Sequence, residues 1–186
     1  MNRRSTTALL IGLAVKSAPV KALPYVYTVP SGSPFRLTSR NGAQSESSFA
    51  TFAGRARLFG ELWMGWQSEG TGDDYIRAYL LPSQASKKLL PIANDPLEPQ
   101  RAPAQARSVW LTNHEAFETQ LLTRQDLATL KSRQVKAFIR TAALDVVDFE
   151  TSVDMDCRWY GTRITALVSG GPARPAGKLS RELVCH

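Results

Sequence analysis

From Ala50 to Trp66 every second residue is apolar or small: Ala50, Phe52, Gly54, Ala56, Leu58, Gly60, Leu62, Met64 and Trp66. The positions between them include Thr51, Arg55, Arg57 and Glu61, and Gln67 continues that set. Alternation with period two marks a strand with one buried face, because successive side chains leave a strand on opposite sides. The pattern passes Gly60 without a change of phase. A two-residue turn at Phe59-Gly60 would set Leu58 and Glu61 on one face. A three-residue turn would keep the phase but place Leu58 and Phe59 at a tip that normally carries polar residues. One strand bent near Gly60 is therefore predicted, with Phe52, Leu58, Leu62, Met64 and Trp66 in the core, since glycine commonly marks a bend or bulge.

The same rules order the rest of the chain. SEGTGDD (68–74) is a turn, and 75–81 is a strand with Ile76, Ala78 and Leu80 inward, ended by Pro82. SQASKKLL predicts a short helix, 92–107 a long proline-rich surface connection, and Val109–Leu111 a short strand. Thr112 to Glu115 resembles a capping box opening a helix that buries Ala116, Phe117 and Leu121. Thr123 to Asp126 opens a second helix with Leu127 and Leu130 on one side. Three strands follow, over 134–142, 145–151 and 156–168. The fold class expected is α+β: a mainly antiparallel, bent sheet or a small, partly open barrel with two or three short helices.

A long first strand, bent at glycine and shared between two sheet halves, resembles the way small oligonucleotide/oligosaccharide-binding (OB) barrels are closed. The resemblance is architectural only. Here two helices precede the last strands, and the count exceeds that barrel by one strand.

The first 22 residues change the charge picture. Arg3 and Arg4 precede an apolar run containing ALLIGLAV, and Val20-Lys21-Ala22 offers a processing site before Leu23. This is the layout of a signal peptide over 1–22, with Lys16 and Lys21 unusual near such a site. The apolar run is about ten residues, against the ~20 that a helix needs to cross a bilayer, so no transmembrane segment is expected after its removal. Residues 23–48, rich in Pro, Ser and Gly, are expected to form a poorly ordered arm, followed by a single α+β domain over 49–186. Loss of four basic residues with the signal leaves 19 basic and 16 acidic residues, a formal +3 instead of +7. That is a weak bias for a protein holding nucleic acid through overall charge, so nucleic acid is not the expected partner. A periplasmic or secreted location is expected.

In such a compartment the only two cysteines, Cys157 and Cys185, are expected to form a disulfide that pins the tail to a strand. Their spacing fits no zinc site, and neither metal nor cofactor is expected. His114 stands at a predicted helix start and His186 is the last residue. No GxSxG, HExxH or nucleotide-binding loop occurs.

Two clusters remain. If the even positions face inward, the other face of the long strand presents Arg55, Arg57 and Trp63, and the neighbouring strand presents Tyr75, Arg77 and Tyr79. Rings stack on sugar or base faces and guanidinium groups grip anions, so these six are candidate ligand-binding residues. Cross-strand pairing explains the same composition, and a helix laid over the face would bury the rings. The second cluster is acidic: Asp145, Asp148, Glu150, Asp154 and Asp156. It has neither the glycine nor the spacing of a calcium loop and is expected to be a solvated hairpin. The function expected is an exported, soluble, non-enzymatic binding module, of the envelope or secreted, for an anionic glycan, a peptide or a protein, with an envelope glycan or protein as the possible partner. The alternatives are a carboxylate-dependent hydrolase built on the 145–156 hairpin, and a partner or inhibitor of another exported protein acting through that hairpin and the proline-rich connection.

Overall fold

A computed structural model describes residues 26–41, 47–68, 74–94, 105–154 and 157–185. The expected signal peptide lies outside them, as do the core of the proline-rich connection (95–104), Asp156 and His186.

The 50–66 pattern is the middle of one strand, β3 (Ser47–Ser68). Phe52, Leu58, Leu62 and Met64 are buried, and Trp66 is half-buried. No turn interrupts β3 at Gly60; there its neighbour changes. From Gly60 onward it pairs antiparallel with β4 (Asp74–Pro82), beginning with Gly60 opposite Pro82. A Cβ at position 60 would lie 2.2 Å from the Leu81 carbonyl oxygen, so only glycine permits this approach.

Along its other edge β3 pairs with β7 (Ala137–Asp154) over almost its whole length. This corrects the expectation of two strands over 134–142 and 145–151. The adjacent apolar residues Ala142, Ala143 and Leu144 interrupt the alternation, and β7 absorbs the break as register irregularities against β8 (Cys157–Gly170). A bulge re-aims side chains without ending a strand.

Following the pairings gives a cycle: β3 with β4, β4 with β6 (Val109–Leu111), β6 with β8, β8 with β7, and β7 with β3. All are antiparallel except β6 with β8. The result is a mainly antiparallel, bent sheet with few and short helices, the coarse form of the fold class expected. Within it Leu58, Leu62, Leu80, Leu111, Leu144 and Phe149 pack together. α1 (Gln84–Lys87) follows β4, as SQASKKLL predicted. Thr123 caps α3 (Arg124–Lys131), its hydroxyl accepting from the Asp126 N–H, and Leu127 and Leu130 pack into the core.

The expected capping box at 112–115 does not form. A 3₁₀ turn (His114–Phe117) leads into the one-turn α2 (Glu118–Leu121); Leu121 is buried and Ala116 exposed. The polar side chains that would have capped it are used on β8: Asn113 donates to the Ile164 carbonyl and accepts from its N–H, and Thr112 donates to the Thr162 carbonyl. His114 is buried, with its ring nitrogens 2.9 Å from the carbonyls of Leu111 and Ile76, and so ties β6 to β4.

The stretch expected to be a poorly ordered arm contains β1 (Val26–Thr28) and β2 (Arg36–Asn41). β1 pairs with β5 (Ile92–Asn94), which lies in the stretch expected to be a surface connection, and β2 extends the sheet beside β3. Phe35 explains this order: it is buried, with its ring 5.6 Å from that of Phe149. At the other end, β9 (Arg174–Ala176) pairs with β7, and α4 (Arg181–Val184) leads to Cys185, which is disulfide-bonded to Cys157 as expected. Among the described residues no helix is long and apolar enough to cross a membrane.

Candidate functional site

The outward face of β3 and β4 is divided. Arg55 and Arg57 are exposed, and Arg57 forms a two-point ion pair with Asp145 on β7, at 2.7 and 3.0 Å. This pair holds the Asp145 carboxyl below the usual carboxylate range and the Arg57 guanidinium above its own. Farther along, Trp63 is only 1% exposed and Tyr79 5%, although both point away from the main core. They form a second apolar cluster with Ala137, against which Trp110, Ile139, Ala176, Leu179 and Val184 pack. The cover is the C-terminal segment: the Trp63 indole donates to the Gly177 carbonyl at 2.9 Å. Ser108, at the start of β6, also donates to the Leu183 carbonyl. Burial raises the Tyr79 hydroxyl pKa above its ordinary value. Tyr75 stays exposed, and Arg77 is half-buried with its guanidinium 4.5 Å from the centre of the Trp110 ring. Of the six candidate residues, Arg77 and Tyr79 line one cavity together.

That cavity, of about 910 Å³, lies between the strands and the covering segment. Its floor comes from β4, β6 and β8, through Tyr79, Trp110 and Trp159; its far wall comes from Arg181, Val184 and Cys185. Trp110 and Trp159 meet edge to face, with centroids 5.8 Å apart. Two buried polar atoms on its lining residues, the Gln67 carbonyl oxygen Oε1 and the Trp110 Nε1–H, have no hydrogen-bond partner. The described lining residues include Arg77 and Arg181 and no carboxylate. The cavity is concave and part aromatic, and its described lining residues include two arginines, features common in ligand sites.

Trp110, Trp159, Gln67 and Arg181 were not legible as a group. Trp110 and Trp159 meet through the parallel β6–β8 pairing, which joins distant parts of the chain and leaves no periodic trace. The only sequence signal was Cys185, which announced that the tail returns to the start of β8.

The acids of 145–154 lie along the first arm of an antiparallel hairpin, β7 with β8, which closes with Asp154 opposite Cys157. Asp145, Asp148 and Glu150 lie within β7 itself. Asp148 and Glu150 line a second cavity of about 380 Å³ with Thr38, Thr51, Thr112 and Arg163. Asp148 occupies a left-handed backbone conformation (φ 57°) at the bulge between Val147 and Phe149, and its carboxylate lies 4.0 Å from Arg163. Burial raises the Glu150 carboxyl above its usual range. Among the described residues no group of His, Cys, Asp and Glu is arranged to hold a metal ion.

No protein-family model, no curated protein and no solved structure matches this chain.

Proposed function

We propose that this is an exported, non-enzymatic binding module that takes an anionic, ring-bearing ligand in the groove between β4, β6, β8 and the C-terminal segment. One observation carries the proposal: the 910 Å³ cavity sets two arginines beside two tryptophans, with no carboxylate among its described lining residues. Guanidinium groups bind carboxylates, sulfates and phosphates through paired N–H donors, and indoles supply large rigid contact surfaces. Strand order supports the placement. In barrels of the OB type the outer face of the second and third strands binds ligand. β4 and β6 are the second and third strands of the cycle described above, and they floor the groove. Export is supported by the arrangement of residues 1–22 and by the disulfide, a bond that persists in oxidising compartments.

The chain has four tryptophans, so four indole N–H resonances report on the groove and its surroundings. Titration with an acidic polysaccharide should move those of Trp110 and Trp159. The Trp66 signal should stay in place, because that indole donates to the Leu130 carbonyl away from the groove. Shifts confined to amides around Arg55 and Arg57 would locate binding elsewhere and overturn the proposal.

A second reading, a carboxylate-dependent hydrolase, has one observation in its favour: Asp148 and Glu150 share a cavity, and burial raises the Glu150 carboxyl. A general acid needs such a raised carboxyl beside an ionised one. Turnover of an acidic oligosaccharide that Glu150→Gln abolishes would favour this reading.

A further inference from the structure

The C-terminal segment packs on one of the two apolar clusters and not on the other. The main core draws on every long strand but on no described residue from Arg174 to Cys185. Ala176, Leu179 and Val184 pack instead on the Trp63 cluster. Apart from Cys157–Cys185, the described attachments of this segment are modest. β9 pairs with β7 over three residues, and the middle one, Pro175, has no N–H to give. α4 is a single turn, too short to persist alone. The Arg174–Glu61 ion pair, at 3.4 Å, is well exposed on both sides and adds little. Two side chains donate to carbonyls of the segment, Trp63 to Gly177 and Ser108 to Leu183.

The disulfide itself faces the groove. Cys157 and Cys185 both line it, and both are half-buried rather than sealed. Arg77 and Arg181 line the same space, and the Cys185 N–H donates to the Arg181 carbonyl at 2.7 Å. Thiol–disulfide exchange needs an attacking thiolate, access to a sulfur and a thiolate that can leave. Guanidinium groups close by favour both anions, and exposed disulfides are the more readily reduced ones.

We infer that Cys157–Cys185 is a redox latch: reduction by a dithiol frees the C-terminal strap, removes one wall of the groove and uncovers the Trp63–Tyr79 face. A thiolate of the reductant attacks one sulfur and forms a mixed disulfide, which the reductant's second thiolate then resolves. The reductant leaves as a disulfide, and its two electrons and two protons end on Cys157 and Cys185 as thiols. The sheet stays folded, because its cycle of pairings closes without the strap. For a sequence separation of 28 residues, loss of the cross-link should raise the open fraction of the strap by on the order of 100-fold. The latch concerns the strap alone; its effect on binding rests on the groove being the ligand site.

The test treats the folded protein with dithiothreitol in the absence of denaturant, then removes the reductant and reoxidises. Alkylation should trap both cysteines as thiols. In the reduced protein the Trp63 indole N–H and the amides of β9 and α4 should exchange about 100-fold faster, while β3, β7 and the body of β8 keep their rates. Reoxidation should restore the starting pattern, and the double variant Cys157→Ser with Cys185→Ser should reproduce the reduced one without any reductant. Three results would overturn the latch: a bond reduced only in denaturant, strap exchange unchanged after reduction, or acceleration in all strands together, which marks a plain structural cross-link. Retention on an acidic-polysaccharide column reads the groove separately and should be lost on reduction and regained on reoxidation. If the oxidised protein is not retained, or if retention survives opening of the strap, the proposed function falls while exchange still decides the latch.

Discussion

The two halves of β3 share one alternating pattern and meet different fates. In the first half the outward residues Arg55 and Arg57 remain at the surface, where Arg57 pairs with Asp145. In the second half the outward Trp63 is sealed beneath the C-terminal segment and bonded to Gly177. Period two separates the two faces of a strand but does not say whether the second face is covered later by a distant piece of chain. Here the cover arrives more than a hundred residues downstream, held by β9 on β7 and by Cys157–Cys185. That cover makes the groove: without Arg181, Val184 and Cys185, Trp110 and Trp159 would stand on an open sheet.

The comparison breaks most readily at Trp63. Truncation to Ala removes a buried indole and its hydrogen bond, and should destabilise the protein by about 3–5 kcal/mol in denaturant titrations. A loss near zero would show that the segment does not cover this face. Next comes the latch. Cys185→Ser opens a loop with a sequence separation of 28 residues, for which chain entropy predicts roughly 3–4 kcal/mol. Hydrogen exchange should locate the loosening in β9 and α4, with the Trp63 indole losing protection while β3, β7 and β8 keep theirs.

A smaller effect sharpens the contrast with the acidic cavity. Burial raises the Glu150 pKa, so its protonated form favours the fold. That contribution is full below the unfolded value, about 4.3, and is lost as pH rises through the higher folded value. Glu150→Gln mimics the protonated form. It should melt above wild type at pH 7 and together with it below about pH 4. The smallest effect is expected at Arg57: both partners of its ion pair are well exposed, so Arg57→Ala should barely move the melting temperature. A large drop there, beside little change at Trp63, would mean that the exposed and covered halves are reversed.

What the sequence made legible was local. The phase of β3 was readable because Phe52, Leu58, Leu62 and Met64 repeat at the strand period, and the α3 cap because Thr123 and Asp126 stand at capping distance. The two cysteines were readable as a pair because nothing else could partner them. Misreadings arose where a residue had a non-local competitor. Asn113 gave its side chain to Ile164 rather than to a helix end, and Phe35 drew a Pro- and Gly-rich stretch onto the core. Separate strands over 134–142 and 145–151 were expected, yet β3 pairs straight across the residues between them. GGPARPAGK carried the composition of a loop, and its Ala176 packs on the Trp63 cluster all the same.

A ligand binds either on the open half of this divided face or in the groove under the tail, and the same charge can be removed from each part in turn. Affinity for an acidic polysaccharide, measured side by side for Arg181→Ala and Arg57→Ala, is the most direct test. Loss of about tenfold in Arg181→Ala, with no change in Arg57→Ala, is the result predicted for a groove under the tail. Loss in Arg57→Ala with Arg181→Ala unaffected would place binding on the open half of β3 and contradict it.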